Sequence, residues 1–116
     1  MQQPDDIIPA RLIIQDLIRG RGSLAEKGSD VVVHYVGKLL GGQQFDSSRN
    51  RRDPLDFALG AGDVIKGLDQ GVEGMRVGGM RKLTIPSELA YGDSGCGGVI
   101  PPGATLEFDV ELLEVK

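Results

Sequence analysis

Tryptophan is absent from the 116-residue chain, and histidine and cysteine occur once each, as His34 and Cys96. A lone cysteine cannot close an internal disulfide, which suits a reducing compartment. With one His and one Cys there is no ligand spacing for a metal, and no nucleophile–base or matched carboxylate pair stands out. No cofactor is expected. Basic residues are in the minority as well, 13 Lys and Arg against 17 Asp and Glu. Phosphate binding needs clustered positive charge, so this balance argues against nucleic acid. The one tight basic group, Arg49, Arg51 and Arg52, reads as a solvated loop. No apolar run approaches the ~18 residues of a membrane span, and "MQQPDDIIPA" lacks the basic and apolar segments of a signal peptide. The expectation is a soluble, cytoplasmic protein without a membrane partner.

What remains is enough for one core: 40% of residues are apolar and 26% charged, which suits a single domain over 10–116 with a mobile tail over 1–9. Strand patterns dominate. In "TLEFDVELL", Leu106, Phe108, Val110 and Leu112 alternate with Glu107, Asp109 and Glu111, the period of a strand with one face in the core. "LDFAL" (55–59) and "RKLTI" (81–85) alternate likewise, and "ARLIIQDLI" (10–18) is a weaker strand. "VVVHYVGKLL" (31–40) runs into Gly41-Gly42, a pair suited to the positive φ of a hairpin turn. One segment breaks the pattern. Val64, Leu68, Val72 and Met75 recur at helical spacing behind Asp63, a suitable N-cap. Gly67 and Gly71 weaken that helix by roughly 0.8–1.0 kcal/mol each relative to Ala, and they permit close approach to a neighbour. The predicted architecture is α+β, a twisted antiparallel sheet of five or six strands wrapped around one short helix.

The chain has five aromatic residues, Tyr35, Phe45, Phe57, Tyr91 and Phe108. They can all be core, as aromatics usually are, or some can line an apolar pocket that carries a few polar groups. His34 reads as a partly exposed strand residue rather than a proton-transfer group. "GAGDVIKG" lacks the Lys-Ser/Thr of a phosphate loop.

Three blocks, "VVHYVGKLLGGQQFDSSRNR", "FALGAGDVIKGLDQGVEGMRVGGMRKLTIPSELAYG" and "GGVIPPGATLEFDVELL", together resemble the FKBP-type peptidyl-prolyl cis–trans isomerases, the macrolide-binding immunophilins. The likeness runs collinearly over residues 13–115. It implies an enzyme that rotates X–Pro bonds in peptides and in unfolded or folding proteins, and that binds macrolides such as tacrolimus and rapamycin. Carried over position by position, it assigns Tyr35, Phe45, Asp46, Tyr91 and Phe108 to the catalytic pocket. Arg51 supports Asp46 by charge, and Leu55, Phe57, Val64, Ile65, Leu68, Val99 and Ile100 contact substrate. Cys96 is either a rim contact or an incidental loop residue. Two positions depart from the family pattern. Leu68 stands where well-known members have Trp at the pocket floor, and Leu55 replaces a frequent rim Phe, so the pocket stays apolar but is less aromatic. "GCGGVIPPGA" becomes a flap over the pocket mouth, its glycines making tight turns and Pro101-Pro102 stiffening the return into the last strand.

The resemblance further implies that the Tyr91 hydroxyl and the Ile65 N–H donate to substrate carbonyls, with Asp46 near the twisting amide. The rival is a binding module, in which the same pocket holds a Pro-containing segment without useful turnover. The chain carries neither an inserted domain nor a long helical extension, which favours a stand-alone isomerase.

Overall fold

The structure, a computed structural model, describes residues 11–116. The expected tail over 1–9, and Ala10, lie outside the described residues. Six strands, β1 (Ile13–Ile18), β2 (Asp30–Leu39), β3 (Gln44–Ser47), β4 (Leu55–Ala58), β5 (Met80–Ile85) and β6 (Leu106–Val115), form one antiparallel sheet in the order β1-β5-β6-β2-β3. β4 shares with β3 the outer edge of β2, pairing with its first half through Val33↔Leu55 while β3 pairs with its second half from Val36↔Ser47. This six-stranded sheet with one main helix, α2 (Lys66–Val72), is the α+β arrangement expected. A single helical turn, α1 (Ser48–Arg51), joins β3 to β4.

Alternation decides which face is core. Along β6, Leu106, Phe108, Val110 and Leu112 are buried while the acids between them are partly exposed. The apolar face of β6 continues into Val31 and Val33 of β2 and Leu83 and Ile85 of β5, and α2 closes over it with Leu68 and Val72. Side chains on α2 would hold the helix off the sheet. A Cβ on Gly67 would come within 2.3 Å of Ile85 Cγ2, and one on Gly71 within 2.4 Å of Leu83 Cδ1. The two glycines therefore set the helix-to-sheet distance, and packing offsets their low helix propensity.

Two local expectations are corrected. The helix begins at Lys66 with Ile65 at its N-cap, not behind Asp63, and it ends at Val72, before Met75. Asp63 is otherwise engaged: its carboxylate accepts the Ala58 N–H at 3.1 Å and closes the loop after β4. Glu73 leaves the helix with an extended ψ of 130°, and Gly74, at φ 90°, turns the chain away. In the β2–β3 turn only Gly41 takes a positive φ, of 67°.

Candidate functional site

A cavity of about 230 Å³ opens between the sheet and the start of α2. Tyr35, Phe45, Leu55, Val64, Ile65, Leu68, Tyr91 and Phe108 give it an apolar lining, with Asp46 and Asp63 as its carboxylates. The sheet wall follows from strand register. Gly37 pairs with Asp46 on one side and Phe108 on the other, bringing β3 and β6 together across β2. The glycine is required there. A Cβ on Gly37 would lie 2.8 Å from Phe45 Cζ and 3.0 Å from Phe108 Cε2, so its absence leaves room for both rings. Phe45 and Phe108 meet edge to face at 5.8 Å, and Tyr35 tilts against Phe108 at 5.7 Å. These are favourable geometries for aromatic pairs.

One corner of this apolar slot is polar and tightly bonded. The Tyr35 hydroxyl donates to Asp46 Oδ2 at 2.5 Å, and Ser47 N–H donates to Asp46 Oδ1 at 2.9 Å. Arg51 bonds Asp46 through Nη1 and donates from Nη2 to the Tyr35 hydroxyl oxygen at 3.1 Å. Burial pushes the Asp46 carboxyl up, but the bonds from Tyr35 and Arg51, with the Arg51 charge, outweigh it and hold Asp46 below its ordinary value. Burial and the bond to Asp46 push the Tyr35 hydroxyl up, against the opposing pull of Arg51. Tyr91 is pushed up by burial and by the nearby Cys96 and Asp46. All three shifts lead away from neutrality. Asp46 stays ionised and both phenols stay protonated, so the corner offers fixed charge and donors and holds no group poised to exchange a proton at pH 7.

The expected site residues divide into those that line the cavity and those that do not. Tyr35, Phe45, Asp46, Leu55, Val64, Ile65, Leu68, Tyr91 and Phe108 do. Arg51 stands behind Asp46. Phe57 and Ile100, each 4% exposed, lie in the core and not on the cavity wall. Phe57 is drawn inward because its strand pairs Phe57 with Val31, a fully buried position. Cys96 and Val99 belong to the tip of a small hairpin, where the Cys96 N–H donates to the Ile100 carbonyl at 2.8 Å. Both are exposed and outside the lining. The hairpin is tethered beside the cavity, since Gly95 N–H donates to the Tyr91 carbonyl at 3.2 Å. Sequence reasoning missed Gly37 and Asp63. A glycine inside a strand signals close approach of neighbours and could have flagged Gly37; nothing local distinguishes Asp63 as a wall residue from Asp63 as a helix cap.

Two roomier clefts, of about 460 and 330 Å³, have charged linings that include Lys27, Lys66 and Glu73 in one and Asp16, Arg19 and Arg76 in the other. Neither has an aromatic wall. Among the described residues no group of three or more His, Cys, Asp or Glu could hold a metal ion, and no helix is long and apolar enough to cross a membrane.

Residues 22–113 match the family model for "FKBP-type peptidyl-prolyl cis-trans isomerase". Over 104 residues the chain is 61% identical to an "FK506-binding protein" of Neisseria meningitidis serogroup B, covering 90% of this chain and 95% of that one. It is also 61% identical over 93 residues to "Peptidyl-prolyl cis-trans isomerase FPR2" of Saccharomyces cerevisiae, covering 79% of this chain and 69% of that one. Among solved structures it is similar to AtFKBP13, with a TM-score of 0.83 at 47% identity, covering 90% of this chain and 93% of that one.

Proposed function

Because the chain belongs to the FKBP-type peptidyl-prolyl cis–trans isomerases, we propose that the cavity between Tyr35 and Leu68 rotates X–Pro bonds by desolvating the amide, without moving a proton. An X–Pro bond faces a barrier of ~18–20 kcal/mol because amide resonance gives its C–N bond double-bond character, and unassisted it isomerises over tens to hundreds of seconds. The resonance form is polar. Seating the proline ring among Phe45, Val64, Leu68 and Phe108 removes water from the amide and favours the twisted, less polar form. Polar contacts then select that form over both planar ones. The Tyr91 hydroxyl and the Ile65 N–H, which has no acceptor among the described residues, donate to flanking carbonyls. Asp46, held by Tyr35 and Arg51, faces the rotating group.

The observation that carries this reading is the polar corner, whose groups are bonded to one another and shifted away from neutrality. Such a site holds a substrate and stabilises a dipole, and bond rotation asks for nothing more. The same cavity takes the ring-like part of a macrolide such as tacrolimus or rapamycin. At about 230 Å³ it is smaller than the ~300–1,000 Å³ typical of drug-sized pockets, so the rest of a macrolide lies over the rim. The proposed partners are Pro-containing peptides and unfolded or folding proteins. A reducing, cytoplasmic setting suits the free and exposed Cys96.

A protease-coupled assay on a short X–Pro peptide tests the proposal. Isomerisation is expected to be accelerated, inhibited by tacrolimus, and flat in kcat/KM across neutral pH. A bell-shaped profile centred near neutrality in the folded protein would overturn the mechanism. Macrolide binding without acceleration would leave a binding module instead.

A further inference from the structure

Along the outer edge of β2, β4 pairs up to Val33 and β3 begins at Val36. Between them the chain lacks a strand partner just where Tyr35 carries the site. A side chain fills the break. Ser48, fully buried at the start of α1, accepts the Tyr35 N–H on its Oγ at 2.7 Å, and the same oxygen lies 3.3 Å from the Tyr35 carbonyl. A third group reaches it: His34 Nδ1 lies 2.8 Å from Ser48 Oγ. His34 stands opposite Glu111 across the β2–β6 ladder, and Glu111 is ion-paired with Arg49 of α1.

We infer that Ser48 and His34 are positioning residues for the Tyr35–Asp46–Arg51 corner, with the Ser48 hydroxyl replacing a missing strand and a His34 Nδ1–H fixing that hydroxyl's orientation. The proton count selects this arrangement. The hydroxyl has one proton and can accept twice. If it donates to the Tyr35 carbonyl, it accepts from both Tyr35 N–H and His34 Nδ1–H, and every group is satisfied. If it turns to donate to His34 Nδ1, the Tyr35 carbonyl loses that bond, which is unfavourable in a buried site. His34 thus acts through a tautomer set by its neighbour. Its influence passes through one oxygen to the backbone of the residue that holds Asp46. Ser48 also lies two residues after Asp46, so the side chain that holds the Tyr35 backbone belongs to the segment that carries the acceptor of the Tyr35–Asp46 bond.

The inference rests on the isomerase reading for its kinetic arm and on NMR for an arm that does not. Ser48→Ala and His34→Phe remove the bond. His34→Asn keeps an N–H donor near the Nδ1 position. Kinetics on an X–Pro peptide and a 13C titration of the Asp46 carboxyl are read for each, with near-UV circular dichroism to verify folding. Ser48→Ala and His34→Phe are expected to lower kcat about fivefold, the scale of one net hydrogen bond, with KM little changed, and to raise the Asp46 midpoint toward its ordinary ~3.9. His34→Asn is expected to restore both, and the wild-type 15N spectrum to show a protonated Nδ1. Folded variants with unchanged kcat and an unmoved Asp46 midpoint would reduce the pair to packing and overturn the inference, as would an unprotonated Nδ1. Should Ser48→Ala fail to fold, the contrast between His34→Phe and His34→Asn decides alone. If the wild-type protein proves not to be an isomerase, the Asp46 midpoint still decides.

Discussion

On one side of the cavity Tyr35, Phe45, Asp46 and Phe108 stand on three adjacent strands, and the polar groups among them bond to one another. On the other side Tyr91 belongs to a run from Pro86 to Ala104 that has two short 3-10 turns and one isolated bridge for regular structure. Glycines with positive φ at 92, 95, 97, 98 and 103 carry that run around its bends, and the buried Ile100 ties it to the core. At Gly95, with φ 65°, a Cβ would also meet the Ile100 carbonyl oxygen at 2.2 Å. The sheet side is over-determined by register, rings and charge, whereas the turn side depends on a few backbone bonds. Substitutions on the sheet side should therefore change geometry and stability together. Those on the turn side should change ligand contacts with little effect on stability.

The largest effect is expected at Gly37. An added methyl must displace the Phe45 or Phe108 ring, because its position lies 2.8 and 3.0 Å from them. Both rings are wedged against each other and, through Phe108, against Tyr35. Overpacking of this kind typically costs 1–3 kcal/mol. Gly37→Ala should lose stability on that scale in denaturant unfolding and lose isomerase activity with it. A folded, fully active Gly37→Ala would show that the sheet wall yields as readily as the turn side.

Leu68 tests the floor on which both sides stand. It is 3% exposed, lines the cavity, and occupies the α2 face turned toward the sheet. Leucine supplies apolar area but not the extra ~0.5–1.5 kcal/mol of an aromatic pair. Leu68→Trp should therefore tighten tacrolimus binding by roughly that energy, up to about tenfold. An indole forced into a filled site would instead destabilise the fold. Since the chain contains no other Trp, the emission of the new indole reports directly on ligand. Emission and affinity both indifferent to saturating tacrolimus in a folded variant would remove Leu68 from the floor.

Much of this contrast could be read from the residues, and the part that could not has a physical reason. The alternation of β6 and the run of β2 announce half-buried strands because burial on one face imposes a period of two. The glycine pair of α2 predicted close packing, and Leu83 and Ile85 fill that space. The start of α2 is not legible because an Asp before an apolar helical pattern suits a cap and a loop closure equally; the choice depends on the Ala58 N–H, brought near only by the fold. Phe57 and Phe108 both alternate within strands, and periodicity cannot show which buried ring borders a cavity. Positions on the 95–103 turn carry no period at all, so the family likeness was the sole guide there.

Asp46 offers a smaller and pH-dependent test. Its carboxyl titrates below the ordinary value in the folded protein. The ionised form therefore contributes stability above the unfolded value of ~3.9, and that stability is lost as pH falls through the lower folded value. Asp46 and Arg51 are partly exposed, with side chains 36% and 48% accessible, so the contribution is modest. The difference in melting temperature between wild type and Asp46→Asn should be present at pH 6 and shrink below about pH 4. A difference that grows on acidification would reverse the assigned shift.

The smallest effect is expected at Val99, and its smallness is what tests the turn side. This side chain is 58% exposed at the tip of a hairpin, and Val99 joins its bonding only through the backbone N–H that donates to the Cys96 carbonyl at 3.0 Å, which a substitution leaves in place. Surface substitutions away from caps, strain and buried networks usually stay within about 0.5 kcal/mol, so Val99→Ser should melt with the wild type. If Val99 contacts substrate as the family likeness implies, the lost apolar contact is made equally by the planar and the twisted peptide. Contacts of that kind change KM and leave kcat alone. A rise in KM of about twofold, with unchanged kcat and unchanged melting, is the expected result. A fall in kcat would mean that the hairpin grips the twisted amide more tightly than the planar one. The turn side would then share in transition-state stabilisation, and the division between a wall that does the chemistry and a flap that only binds would not hold.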